Sequence, residues 1–394
     1  MGIGTVAGSA KGDRRYDWRG SATRKIRKVL TMAEGGWSSV RYTAADAGDT
    51  LGLVREIWGE IEVTDPAYHE WQYRRSPGGP AIATLARDEK DGKLVGQAVT
   101  IPLRVDVSAR EHLANLTLNV ATLPEWQGRG IFSRLLRDAC DLSAKEGMAF
   151  TFALPNQWSY PVFLRTGFED IGSVPLLIKP LNPQRLVRKA TGNRLLGAAA
   201  WPASLIWHQP AAGRERPGQA EIVRVEKFDD SFTAFWERVK NRFPVMIVRD
   251  AAYLNWRFVD IPIRKYVCFA ARAEDEVKGF IALRVAPVAS FDAGLVVDLL
   301  VEEGESGAEA GRHLIEEAFR YFRGHDLDML GSLALAHTRE FRLLREKGFW
   351  VCPKRLLPQP FQIVVRSHEG EGSPSHLAYD LQNWFLTMGD YDAV

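Results

Sequence analysis

A long-range repeat constrains this chain more than any other feature. Asp65-Pro-Ala-Tyr-His-Glu-Trp-Gln-Tyr73, with Pro77 beyond it, matches Asp250-Ala-Ala-Tyr-Leu-Asn-Trp-Arg-Phe258, with Pro262 beyond, 185 positions later. A second anchor, Gly167-Phe168, matches Gly348-Phe349 at an offset of 181. Two separated anchors with nearly one offset indicate a duplicated unit rather than chance. The chain of 394 residues is long enough for two such units with their own cores. We therefore expect one α/β unit at 39–180 and a second at 220–366. A basic arm (1–38), a linker with a helical segment (181–219) and a tail (367–394) would complete the chain.

Periodicity supplies the elements of the first copy. Leu51, Val54, Ile57, Trp58 and Ile61 fall at helical spacing within Ala45–Ile61. Strands are expected at Ala81–Ala86 and Leu94–Val105, joined across the Asp91-Gly92 turn, and at Leu113–Leu123. Ile131, Leu135, Leu136, Ala139 and Leu142 form the apolar stripe of a helix. A strand at Met148–Leu154, a helix at Ser159–Thr166 and a strand at Val174–Ile178 follow. In the second copy, strands at Tyr266–Ala273, Lys278–Val285 and Leu295–Val301 lead to a helix at Ala308–Arg323.

The junction between the third strand and its helix reads Ala121-Thr-Leu-Pro-Glu-Trp-Gln-Gly-Arg-Gly-Ile-Phe132. A helix start leaves backbone N–H groups without intrahelical partners, and the aligned peptide dipoles add positive potential there. Such a turn suits a phosphate, and Gly128 and Gly130 would let the backbone approach it closely. The glycines could equally serve turn geometry alone.

The order of strand, Gln127-Gly-Arg-Gly-Ile, amphipathic helix, strand, Asn156, helix and Gly167-Phe168 resembles the GCN5-related N-acetyltransferase (GNAT) superfamily. Duplicated members of that superfamily, including some linked to surface-polysaccharide synthesis, look similar to it, and the closing Trp384-Phe-Leu-Thr-Met-Gly-Asp-Tyr-Asp392 is similar to that group too. The resemblance implies an α/β fold of two tandem GNAT-like domains, each a mixed, largely antiparallel sheet flanked by helices. It implies an acyltransferase moving an acyl group from acetyl-CoA or another acyl-CoA to a primary amine, without a metal. An amino sugar or a surface-polysaccharide precursor is among the acceptors it suggests.

Carried over residue by residue, the CoA site comprises Ala121, Thr122, Leu123, Gln127, Gly128, Arg129, Gly130, Ile131 and Phe132, with Asn156 as a pantetheine contact. Phe132 stands where the family usually has Gly or Ala. Phe163 stands where the family has the tyrosine that protonates the leaving thiolate. Tyr160, three residues earlier, could present its hydroxyl to the same cleft. The third strand carries no carboxylate or histidine between Leu116 and Leu123, so Asn119 or Thr117 is expected to hold a water that carries the proton away. Asp65, Glu70 and Trp71 could border the acceptor site, though the repetition of Asp65 and Trp71 as Asp250 and Trp256 favours structural roles. In the second copy, Ser306 and Glu309 take the positions of Gln127 and Gly130, and His337 those of Asn156. A carboxylate at the close-approach glycine would repel a pyrophosphate, so this copy is expected to frame the acceptor site or support the first.

The formal net charge of +2 gives no reason to expect nucleic acid as partner. Cys140, Cys268 and Cys352 lack metal-ligand spacing, which fits a reduced, cytoplasmic setting. The segment 181–208 turns from basic to apolar; linker and interfacial anchor are both open there. Two other functional readings also stay open: a non-catalytic sensing or assembly module, and an acyltransferase taking its acyl group from a carrier protein docked on Arg185, Arg188 and Lys189.

Overall fold

The computed structural model describes residues 36–191, 220–370 and 372–391. The basic arm up to residue 35 and the apolar stretch from Leu195 to Trp207 lie outside the described residues. No helix among the described residues is long and apolar enough to cross a membrane.

The first copy runs β1 (Trp37–Arg41), α1 (Ala47–Trp58), α2 (Pro66–Arg74), β2 (Ile82–Asp88), β3 (Leu94–Val107), β4 (Arg110–Thr122), α3 (Ile131–Lys145), β5 (Phe150–Ala153), α4 (Tyr160–Arg165), β6 (Glu169–Ser173) and β7 (Leu176–Pro180). After α5 (Pro183–Thr191), the second runs β8 (Glu221–Val225), α6 (Asp230–Val239), β9 (Val245–Ile247), α7 (Ala251–Phe258), β10 (Val267–Ala273), β11 (Glu276–Val288), β12 (Phe291–Val301), α8 (Gly304–Phe322), β13 (Met329–Leu333), α9 (Arg339–Glu346) and β14 (Trp350–Val351). β15 (Gln362–Ser367) and β16 (Trp384–Phe385) close the chain.

The two sheets do not follow the expected boundaries, because the copies exchange a strand. The first sheet is ordered β1-β2-β3-β4-β5-β15-β6, and the second β14-β7-β13-β12-β11-β10-β8. Each contains one strand from the other half at the same place: β15 lies between β5 and β6, β7 between β13 and β14. β9 of the second copy also pairs with β3, and β16 with β9. The stretch expected as a tail is therefore partly interior. Trp384 is fully buried and meets Phe150 edge-on at 5.7 Å.

The repeat that revealed the duplication sits where the copies meet. Asp65 and Asp250 cap α2 and α7 through backbone N–H groups. Trp71 and Trp256 stack at 4.8 Å with an interplanar angle of 16°. Each indole N–H donates to the other's carbonyl, at 2.7 and 3.4 Å. These four residues are structural, as their repetition suggests. Within the second half, Arg249 is fully buried and ties the closing stretch to β12, donating to Asp298 at 2.9 Å and Asp390 at 2.6 Å. On α5, Arg185 bonds Asp326 and Asp328, and Lys189 bonds Asp292 and Asp328. Two of the three cations expected to meet a carrier protein are thus spent inside the chain.

Candidate active site

β4 and β5 run parallel but pair only at Asn115–Thr151 and Leu116–Phe152. β4 then continues to Thr122 while β5 ends at Ala153, so the strands part and leave a fork. A cavity of about 490 Å³ occupies it. Its walls include the β4 run Leu116–Val120, the β5 end Ala153–Asn156, Ser159 and Phe163 of the α4 region, and Trp58, Ile61, Glu62 and Val63 between α1 and α2. The second half contributes Arg264, Gln359 and Tyr391. By the alternation of a strand, Asn115 and Thr117 share one face of β4 while Leu116 and Leu118 share the other. Asn115 donates to Ser143 of α3 at 2.7 Å, and Leu116 joins the core that holds Trp71 and Trp256. The fork therefore connects the α3 side of the sheet with the side facing the second copy.

A bulge marks the middle of the fork. Gln97 pairs with Ala121 but Val99 with Leu118, so Asn119 and Val120 oppose a single β3 residue. Asn119 has φ +50°, a region that asparagine tolerates better than most residues. Its side chain donates to Gln72 at 2.6 Å, and its carbonyl accepts from Gln97 at 3.0 Å. These bonds hold the bulge and tie the Asn119 side-chain NH₂ to α2, while the residue also lines the cavity.

Past the fork, the glycine turn has the shape expected of it. Gly128 has φ +78° and Gly130, the residue before α3, has φ +76°; a Cβ at either position would meet nothing within 4 Å. Backbone conformation, not crowding inside the chain, demands glycine here, and the space over both is open. Gln127 donates to the Thr122 carbonyl at 3.2 Å and braces the turn. Arg129 donates to the Glu125 carbonyl and lies over the Trp126 ring at 4.3 Å. Ala121, Leu123 and Ile131 are buried and anchor the turn to the sheet. Phe132 packs edge-on against Phe163 at 5.7 Å, and Phe163 lines the cavity, so turn and fork are neighbours.

Of two further expected site residues, one lies away from the cavity and one lines it. Tyr160 does not line the cavity; its hydroxyl donates to Asp170 at 2.6 Å, and that bond raises the phenol's pKa further. Asn156 lines the cavity, but its side-chain oxygen accepts from the Trp158 and Ser159 N–H groups at 3.0 and 2.9 Å. It caps the turn into α4 and leaves only its amide NH₂ for a ligand. Sequence reasoning missed Trp58, Ile61, Glu62, Arg264, Gln359 and Tyr391. Trp58 and Ile61 were read into the apolar stripe of the first helix, but α1 ends at Trp58 and leaves both side chains exposed, with Glu62 next to them; Arg264, Gln359 and Tyr391 come from the far half of the chain.

The second copy differs in its pairing and at its turn. β12 and β13 pair over four residues, Ala293–Val296 with Met329–Ser332, against two in the first copy, and β12 then runs on to Val301. Ser332 adds a bond to the Val296 carbonyl at 2.9 Å. The α8 stripe Ala310, Leu314, Ile315, Ala318 repeats the α3 stripe Ile131, Leu135, Leu136, Ala139, which supports the alignment of Gly311 with Phe132. On that alignment Ser306 and Glu309 are already helical, since α8 begins at Gly304. The phosphate turn is not merely filled with acid there; it has been wound into helix.

Comparison with known proteins agrees with this geometry. Residues 41–171 match the family described as Acetyltransferase (GNAT) domain. A probable N-acyltransferase of unknown function from Enterococcus faecalis V583 superposes with TM-score 0.56 at 13% identity, over 84% of this chain and 73% of that one. A GCN5-related N-acetyltransferase from Anabaena variabilis gives 0.57 at 10%, over 84% and 73%. The N-myristoyltransferase of Saccharomyces cerevisiae with bound myristoyl-CoA gives 0.57 at 12%, over 88% and 85%. No curated protein matches the chain in sequence. Residues 41–171 thus match the GNAT acetyltransferase domain, and the described chain as a whole shares the mixed α/β fold of these structures, with two such sheets in tandem.

Proposed function

We propose that the first copy binds an acyl-CoA and transfers its acyl group to a primary amine that enters from the side of the second copy. The observation that carries this reading is the fork between β4 and β5 meeting an open glycine turn. Pyrophosphate would rest on the backbone N–H groups of Gly128–Phe132, favoured by the α3 dipole. Pantetheine would lie along the β4 edge left free beyond Leu116, as an added strand held by main-chain bonds. The thioester then reaches the Asn119–Val120 bulge, where a backbone N–H can polarise its carbonyl oxygen. Fixing donor and acceptor on either side of one fork removes much of the entropic cost of their meeting.

The amine nitrogen attacks the thioester carbon, the C–S bond breaks, and CoA leaves as the thiol once protonated. An amino sugar or polysaccharide precursor is a fitting acceptor class, since the cavity mouth offers Trp58 beside polar groups. CoA-thiol release from acetyl-CoA, measured with glucosamine and with simple alkylamines, tests the reading. Amine-dependent release is expected. A chain that holds acetyl-CoA but releases no thiol with any amine would count against N-acyl transfer.

A further inference from the structure

Glu62 is the only carboxylate lining the cavity among the described residues. It sits in the turn between α1 and α2, which Thr64 fixes: the Ile61 N–H donates to Thr64 Oγ1 at 3.1 Å, and that hydroxyl donates to the Ile61 carbonyl at 2.7 Å. Two guanidiniums of the second copy hold the carboxylate. Arg264 Nε donates to Oε2 at 2.7 Å, and an Arg284 Nη donates to Oε1 at 2.9 Å. A carboxylate has about four lone-pair sites, and these contacts occupy one on each oxygen. The side chain remains 41% exposed, so acceptor capacity faces open space. Beside it, Trp58 and Ile61 line the same cavity, yet are 40% and 46% exposed. An apolar pair left uncovered next to an open carboxylate matches an ammonium group attached to an apolar face.

Resting on the N-acyl-transfer reading, we propose that Glu62 binds the acceptor's ammonium and that Trp58 and Ile61 receive the carbon face next to it. The C–H side of an amino-sugar ring and an alkyl stem both present such a face; the ammonium is common to both. Held there, the ammonium lies across the fork from the bulge and gives up one proton to the exposed Glu62 carboxylate, which passes it to solvent. The second copy then has a function without binding CoA. Its Arg264 and Arg284 orient the residue that receives the acceptor.

Direct binding to the acetyl-CoA-loaded full chain tests this without knowledge of the natural acceptor. Saturation-transfer NMR would compare glucosamine with glucose, and hexylamine with hexanol. In wild type the ammonium member of at least one pair should bind about tenfold tighter or better, as expected of a charge-assisted hydrogen bond. The pair that discriminates identifies the kind of carbon face. Glu62→Gln should erase the difference, and Glu62→Asp, which keeps the charge, should restore part of it. The thermal shift with acetyl-CoA should persist in both variants, which separates a folding defect, or failure of the donor reading, from loss of the ammonium site. Wild type that favours neither ammonium over its neutral partner, or Glu62→Gln that discriminates as well as wild type, overturns the proposal.

Discussion

At the scale of single residues, the candidate site depends on backbone conformation more than on reactive side chains. Gly130 and Gly128 were legible in the sequence because only glycine takes φ near +77° at no cost, and both do so here. Asn119 was legible as a position but not as a role: its φ and its bond to Gln72 depend on a register shift that periodicity does not encode. Tyr160 was the reverse case. Helical spacing brings it near Phe163, but the rotation of α4 hands its hydroxyl to Asp170. Tyr160→Phe should therefore leave turnover within about twofold of wild type, in contrast to the losses of ~10²-fold or more expected on removing a general acid. A pH prediction also belongs at this scale. Burial lowers the pKa of both His69 and His368 from 6.5 to about 4. The unfolded chain takes up protons below pH 6.5 that the folded chain refuses, so their contribution is complete above 6.5 and is lost as pH falls toward 4. Melting temperature should drop across that window, and less so in a His69→Gln variant compared with its own value at pH 7.

At the scale of elements, periodicity located most strands and helices of the first copy to within a few residues, and in the second copy β10, β11, β12 and α8. It could not assign partners to strands. β7 (Leu-Leu-Ile-Lys-Pro180) and β15 (Gln-Ile-Val-Val-Arg-Ser367) carry strand-like composition, but nothing local says that each pairs across the duplication. The α2–α7 contact is similar: the repeat disclosed Trp71 and Trp256, and only the fold shows them stacked on each other. Trp71→Ala should cost about 3–5 kcal/mol, the range for truncating a buried aromatic. The Trp71→Ala/Trp256→Ala double variant should cost clearly less than the sum, because the residues are in contact. Urea titrations of the two single variants and the double variant would check this. Additive losses would mean that the stack is incidental.

At the scale of the molecule, strand exchange makes the two copies one folding unit. Residues 36–191 made alone would lack β15 between β5 and β6, and 220–391 would lack β7 between β13 and β14. Neither half should melt cooperatively by circular dichroism alone, and a cooperative melt of either would contradict the account. The division of labour follows from the same comparison. One copy keeps its turn unwound; the other pairs its strands two residues longer, winds the turn into helix and lends Arg264 and Arg284 to the first. The central claim is that the Gln127–Phe132 turn is the acyl-CoA site, and a thermal-shift titration with acetyl-CoA and longer acyl-CoAs tests it most directly. Ligand at about 100 times its Kd should stabilise wild type by about 2.7 kcal/mol, a shift of several degrees. Gly130→Glu should show no shift at the same concentrations. Equal shifts in the two proteins, or none in wild type, would contradict it.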